Sequence, residues 1–449
     1  MKKNKSLNSS LKPIENYLNS KQSVINHVTL LDSYNDFPRF FQYATRHMQL
    51  PSLPYLDTLS NGISQDEDIA IVKAVMETVE RWYLASYNTN DFIYGSYNDL
   101  KKRSLNAINP TTLSQYSKTQ LKLKKFSAFN ISLDSPFYWT KANKLFSSDT
   151  FMIPAHIINF MSDKDLPKKL ILISDSSGAA AGTSVEQAVY NGICELIERD
   201  AYTIMYYNFL PMKKVDFSKI LDKNISDLLT YIRNYYLDVM VFEITLDINV
   251  PIFFSVTIDT TGMDPQITVG AKCSLEWNEA MYGAILESFQ GRSFLRDLTT
   301  ARQSKGKRTG IEEYISPKSN EAIFKRFKYW AYKENRNKLD FLLKNNPQPL
   351  SKFPDHTSLS YKEKLKAINN RLRDAGIHDI FWVKTTPKSL DSLSIYGVKV
   401  VIPALQRISL DADLPYFGYN RMYEIPVKMG YRKKALTENK LNPYPHPLP

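Results

Sequence analysis

The chain has 449 residues, 43% hydrophobic and 12% aromatic, which provides for a large core and argues against general disorder. A net charge of +12 suits an anionic partner (a nucleotide, an acidic peptide or a nucleic acid) or a plain soluble basic surface. No run approaches the roughly eighteen apolar residues of a membrane span, so no membrane partner is expected.

The basic start, Met1 to Ser6, is followed by polar residues rather than a signal-peptide core. Cys194 and Cys273 suit a reducing compartment and make neither a disulfide scaffold nor a four-cysteine zinc site. A cytoplasmic protein is the expectation. The histidines are scattered and form no His-Glu-x-x-His pair, which removes support for a zinc hydrolase.

In chain order, residues 1–34 are polar and read as a loosely ordered N-terminal extension, and 35–449 as one domain. Strands are expected at Lys169–Ile173, Val239–Ile244, Ile252–Val256 and Val398–Ile402, all apolar and mostly β-branched or aromatic. Residues 301–375 are charged and helical in pattern, like an appended segment. Within them Lys305-Gly306-Lys307-Arg308 lacks the interleaved aromatics of a single-strand binding platform, so it reads as a solvated loop and no nucleic acid is expected. The tail 442–449 has proline at every second position and is neither helix nor central strand. Strands and helices mix without regular alternation, which predicts an α+β fold.

One pattern occurs three times. It reads Ala70, Ala74, Glu77, Glu80; then Ala188, Gly192, Glu195, Glu198; then Ala280, Ala284, Glu287, Gln290. Offsets of 0, 4, 7 and 10 keep to one face of a helix, and the two small residues let that helix lie close to a neighbour. Ser64-x-x-Glu67 and Ser184-x-x-Gln187 have capping-box spacing before the first two helices; Ser274 precedes the third, whose start is less defined. Arg81 and Arg199 follow their first glutamates by four residues, the spacing of surface ion pairs worth only about 0.3–0.5 kcal/mol. Three copies point further, since chance gives such a pattern on the order of 0.03 times in this length. Acids on three packed faces need compensating cations, and Mg²⁺ bridging a polyphosphate supplies them, with the arginines free to meet phosphate oxygens. The small-residue stretch Ser176 to Thr183 before the second helix permits close approach to an anion, or is simply a tight strand-to-helix turn; no Walker lysine follows it.

These segments resemble the YcaO family. Leu59-Ser60-Asn61-Gly62 through Glu80-Arg81 is similar to its first motif, the small-residue stretch with Glu195-Leu196-Ile197-Glu198-Arg199-Asp200 to its central motif, and Glu287-Ser288-Phe289-Gln290 with Arg292 to its third. The resemblance spans roughly residues 35 to 449. It implies a fold whose three glutamate helices form an ATP cleft. ATP would be bound by Glu77, Glu80, Arg81, Thr183, Gln187, Glu195, Glu198, Arg199, Glu287 and Gln290, and Mg²⁺ by Glu77, Glu80, Glu195, Glu198 and Glu287.

Pro445-His446-Pro447-Leu448-Pro449 matches the Pro-x-Pro-x-Pro tail of azoline-forming members, in which the terminus, here Pro449, reaches the active site and assists catalysis. A semi-rigid polyproline docking ligand is the other reading. Arg421 to Tyr431 also looks like the segment before that tail in streptolysin-type cyclodehydratases. The pattern departs from the family at Lys73, Thr183 and Gln187, where serine, asparagine and an acid are usual, which leaves the metal count open.

The resemblance implies an ATP- and Mg²⁺-dependent cyclodehydratase that turns Cys, Ser or Thr of a ribosomal precursor peptide into thiazoline or (methyl)oxazoline. Alternatives are a YcaO enzyme making thioamides or amidines, and a non-catalytic ATP-binding or scaffold protein. A separate E1-like, leader-binding partner is expected, because residues 1–35 are too few for that module. An FMN-dependent azoline dehydrogenase and a homodimer complete the expectations.

Overall fold

The computed structural model describes residues 11–49, 59–296, 326 and 329–448. Among them are three sheets. The first is an antiparallel meander of β1 (Ile25–Leu30), β2 (Phe41–His47) and β3 (Leu59–Ser64). The second contains β8 (Lys213–Val215), β9 (Leu237–Glu243), β10 (Ile252–Asp259), β11 (Ile267–Cys273) and β12 (Pro347–Gln348), in the order β11–β10–β9–β8–β12 with β12 parallel to β8. The third runs from β4 (Ile93–Gly95) through β5 (Phe137–Lys144), β13 (Phe381–Lys384) and β14 (Tyr396–Val401) to β7 (Ala179–Gly182), and β6 (Thr150–Pro154) also pairs with β5.

The helices are α1 (Lys12–Leu18), α2 (Glu67–Ala85), α3 (Tyr97–Lys102), α4 (Ala155–Ile158), α5 (Val185–Tyr207), α6 (Lys223–Arg233) and α7 (Trp277–Gln290), followed by Asp340–Leu343, Tyr361–Asp374 and Arg421–Lys428. This is the expected α+β architecture. The central strand β10 is buried throughout because both faces are covered: Phe254, Val256 and Ile258 face the core built on α5, and Phe253 faces that of α6 and α7.

Each of the three glutamate helices packs on the strand that leads into it: α2 on β3, α5 on β7, α7 on β11. The small residues of the repeat make this approach possible. A Cβ on Gly62 of β3 would lie 2.1 Å from the Ala70 carbonyl oxygen, and one on Gly270 of β11 would lie 2.4 Å from that of Ala284. At α5 the glycine is on the helix: a Cβ on Gly192 would lie 2.7 Å from Val400 Cγ2 of β14. Ala70, Ala74, Ala188, Ala280 and Ala284 are completely buried. The repeat is therefore a strand–helix packing device, and it sets the acids one turn beyond the contact.

Several expectations are corrected. No strand forms at Lys169–Ile173. Ile171 and Leu172 are buried, but the chain is irregular, with the Leu170 N–H donated to the Ala128 carbonyl and the Ile171 N–H to the His156 ring. The strand entering α5 is instead Ala179–Gly182, inside the stretch read as a loop. Its side chains are small because both α2 and α5 pack on β7.

Residues 12–30 are not a loose extension. Ile14 and Tyr17 of α1 are buried in one cluster with Val75 and Val79 of α2, and β1 pairs with β2. The region 301–375 is not appended either, since β12 extends the second sheet and Tyr361–Asp374 packs on α5. Residues 301–325, including Lys305–Arg308, lie outside the described residues. At α2 the cap is Asp66, which accepts the Ile69 N–H, rather than Ser64. Ser184 does cap α5, but the Gln187 side chain accepts from the Thr183 N–H instead of closing the box.

Candidate functional site

The acids of α2 and α5 reach back to backbone N–H groups of neighbouring strands and turns. Glu77 accepts the Asn61 N–H of β3, Glu195 accepts the Gly178 N–H at 2.7 Å, and Glu198 accepts the Cys273 N–H of β11 at 3.0 Å. Both intrahelical arginine pairs form: Arg81 lies 2.6 Å from Glu77 and Arg199 lies 2.7 Å from Glu195. Arg199 also donates to the Ser177 hydroxyl. On the third helix Glu287 pairs with Lys272 of β11 at 3.1 Å.

The five glutamates share one electrostatic field. Burial and the nearby Glu195 carboxylate push the Glu80 carboxyl well above its ordinary range, and burial with Glu287 does the same to Glu198. Glu287 holds Lys272 firmly protonated, helped by Glu198 and Glu195. Burial opposes the charge on Arg199, yet Glu195, Asp175, Glu198 and Glu80 outweigh it. Acids from α2, α5 and α7 are thus close enough to raise one another's pKa.

Among the described residues no three acid, histidine or cysteine side chains are already drawn together as a metal-ligand group. The donors nevertheless fit Mg²⁺. They are carboxylate oxygens, the type a hard cation takes, and the strain on Glu80 and Glu198 is the kind that a nearby divalent charge relieves.

Other predicted residues sit further out. Thr183 donates from both N–H and hydroxyl to Gln187, whose amide in turn donates to the Tyr361 hydroxyl at 3.1 Å. This chain lies at the start of α5, two turns before Glu195. Gln290 follows Glu287 by one turn and approaches the Asn61 carbonyl at 3.5 Å. Lys73 donates to the Ile63 carbonyl at 3.0 Å and faces Lys272 and Glu287.

The proline tail lies along α5, with Asn442, His446, Pro447 and Leu448 buried. The Asn442 N–H donates to the Tyr207 carbonyl, and the Pro445 carbonyl accepts from the Tyr206 hydroxyl at 2.9 Å and the Trp330 indole at 2.7 Å. The His446 ring packs edge-on against Tyr202, contacts Arg326 at 2.7 Å and meets the Ser409 carbonyl at 2.9 Å. Burial, with the charges of Arg326 and Arg199, holds His446 neutral, well below its ordinary range. The contacts advance from Tyr207 to Tyr202 and so toward Arg199. Pro449 lies outside the described residues.

Four charged groups escaped the sequence reading: Lys272, Asp175, Lys399 and Arg407. Lys399 is wholly buried inside the apolar run of β14, and a lysine in such a run was the available signal. The other three had none, because their partners are distant in sequence or on another element.

Among curated relatives, an uncharacterised protein of Methanothermobacter thermautotrophicus is 24% identical over 347 residues, covering 77% of this chain and 80% of its own. Among solved structures, a heterocyclase in complex with substrate and cofactor aligns with a TM-score of 0.75 at 19% identity, over 97% of this chain and 56% of that one. The chain thus spans just over half the length of that heterocyclase. YcaO from Methanopyrus kandleri, bound with AMPPCP and Mg²⁺, aligns at TM-score 0.59 and 17% identity over 88% of this chain and 90% of its own. The E. coli microcin synthetase McbBCD complex gives 0.57 and 15%, over 84% and 88%. These likenesses concern the fold. A family model described as YcaO cyclodehydratase, ATP- and Mg²⁺-binding, matches residues 61–406, and the chain belongs to that family.

Proposed function

We propose that this protein is a peptide cyclodehydratase that uses ATP and Mg²⁺ to convert Cys, Ser or Thr of a ribosomal precursor peptide to thiazoline or (methyl)oxazoline. Two observations support the reading: carboxylates on three helices act on one another and on the same cations, and a proline tail lies along the second half of α5. Glu77, Glu80, Glu195, Glu198 and Glu287 hold Mg²⁺. Arg81, Arg199, Lys73 and Lys272 face the triphosphate, with Thr183, Gln187 and Gln290 at its margins.

When bound, MgATP supplies the phosphoryl group that makes the substrate amide oxygen a leaving group. The peptide brings its own nucleophile, so the chain needs to position and neutralise charge rather than form a covalent bond. Pro449 is assigned a role in catalysis by this reading, with the proline tail orienting the peptide.

The precursor peptide arrives through a separate E1-like partner, in keeping with a relative that functions as the McbBCD complex. A homodimer, an FMN-dependent azoline dehydrogenase and a cytoplasmic setting complete the proposal; no described helix is long and apolar enough to cross a membrane. The test is mass spectrometry of a Cys/Ser-rich precursor incubated with ATP, Mg²⁺, this chain and its partner. Ring formation removes about 18 Da per residue and thioamide formation adds about 16 Da. An unchanged peptide beside a competent partner would sink both enzyme readings.

A further inference from the structure

We propose that the buried ion cluster Asp175–Lys399–Arg407 is a positioning device for the nucleotide site, fixing the Ser176–Gly178 turn so that it holds Glu195 and Arg199 in their working places. The inference rests on the reading of Glu195 and Arg199 as nucleotide-site residues.

The connections are direct. Arg407 Nη2 lies 2.8 Å from Asp175 Oδ1, and Lys399 Nζ donates to the Asp175 carbonyl at 2.5 Å while standing 4.0 Å from the same carboxylate. That carboxylate also accepts the Ser177 N–H at 2.8 Å, closing the turn. The turn then makes two contacts with α5: the Gly178 N–H donates to Glu195, and the Ser177 hydroxyl accepts from Arg199. Its far side is pinned to β14, since the Val400 N–H donates to the Gly178 carbonyl at 2.7 Å. Gly178 has φ +83°, and a Cβ there would lie 2.4 Å from the Val400 carbonyl, so only glycine fits this crossing. Lys399 and Val400 are neighbours on one strand. The strand that pins the turn therefore also carries a charge that orders it.

Stability alone does not account for three charges here. Asp175, Lys399 and Arg407 are each less than a tenth exposed, and buried ion clusters are commonly no more stabilising than the apolar side chains that would fill the same space. Arg407 Nε has no hydrogen-bond partner, so the cluster is not a saturated structural network. What it provides is direction. Asp175 Oδ1 is shared by Arg407 and the Ser177 N–H, so the cation and the turn are tied to one oxygen. Lys399 also faces Glu195 and Glu80 and so links the brace to the acid field itself. Partners of this kind behind a metal or phosphate site typically govern affinity by about 10- to 100-fold.

The test compares Asp175→Asn, Arg407→Met and Arg407→Lys with the wild type. MgATP affinity is read from a fluorescent ATP analogue, folding from thermal melting, and order at residues 174–180 from hydrogen exchange. Asp175→Asn and Arg407→Met are expected to weaken MgATP binding by about 10- to 100-fold and to speed exchange at the turn, while Arg407→Lys restores most of the affinity. In the wild type, MgATP should slow exchange at the same turn, a measurement that does not depend on any variant folding. Affinity within twofold of wild type in both disrupted variants, or no change in turn exchange on nucleotide binding, overturns the brace. Failure of the wild type to bind MgATP at all is a different result and sinks the nucleotide reading instead.

Discussion

The close packing of β11 on α7 gives a prediction with a magnitude set by geometry. In Gly270→Ala, the new Cβ starts 2.4 Å from the Ala284 carbonyl oxygen and 2.5 Å from the Ser288 backbone nitrogen, both fixed by helical hydrogen bonding. Ordinary contact needs roughly 3.5 Å, so α7 must retreat from β11 by about 1 Å. Overpacking of this kind costs about 1–3 kcal/mol, which lowers the melting temperature of a large domain by a few degrees. The functional cost should be larger in proportion. Glu287 and Ser288 move with the helix, whereas Lys272 stays on the strand, so their 3.1 Å pair opens. A displacement of about 1 Å at a phosphoryl-transfer site is worth on the order of 100-fold in rate. Gly291→Ala serves as the control, because nothing lies within 4 Å of the added methyl and the site is one residue past Gln290. Melting curves measure the first effect, and MgATP affinity with the proposed ring formation measures the second. If Gly270→Ala keeps turnover and MgATP affinity within twofold of wild type, the claim that strand glycines set the acid geometry is wrong.

Three other outcomes are expected. His446 is held neutral in the fold, whereas a released tail titrates near the ordinary histidine range of about 6.5; its protonation therefore favours release as pH falls, by up to about 1.4 kcal/mol per pH unit. Hydrogen exchange at residues 442–448 should accelerate below that pH, and His446→Gln should remove the acid dependence. Lys272→Met leaves Glu287 facing Glu198 without its ammonium, and calorimetry should show nucleotide affinity reduced by roughly 10-fold, consistent with the loss of a charge-assisted contact. Arg421 contacts Asp200 at 2.6 Å and Asp247 at 2.8 Å, all three buried, so Arg421→Met should destabilise the fold by about 3–5 kcal/mol in denaturant melts.

What was legible in the sequence had local causes. The offsets of 0, 4, 7 and 10 are a property of one helix, so alanines and glutamates on a shared face could be read before any neighbour was known. The same holds for β9, β10 and β14, whose apolar runs need only the knowledge that both faces are covered. The failures came where a segment's state depends on what packs against it. Ala179–Gly182 is a strand because β14 pairs with it and two helices press on it. In isolation its small residues signal a loop. Lys169–Ile173 carries a strand's composition but has no strand beside it to pair with, and its backbone bonds go to Ala128 and the His156 ring.

The charges that complete the site were hidden for the same reason, and this bears on how the acids should be understood. Asp175 and Lys399 are 224 positions apart, and Glu198 and Cys273 are 75 apart. Glu198 thus joins a local helix face to a backbone N–H far along the chain, and only the helix face is written in the motif. A chain that kept all five glutamates but lost Lys272, Asp175 or the glycines beneath the helices would still match the pattern. Its carboxylates would lose a cation partner or the close strand contact that sets their distances. The motif records where the acids are, whereas the strands β3, β11 and β14 determine whether they act together.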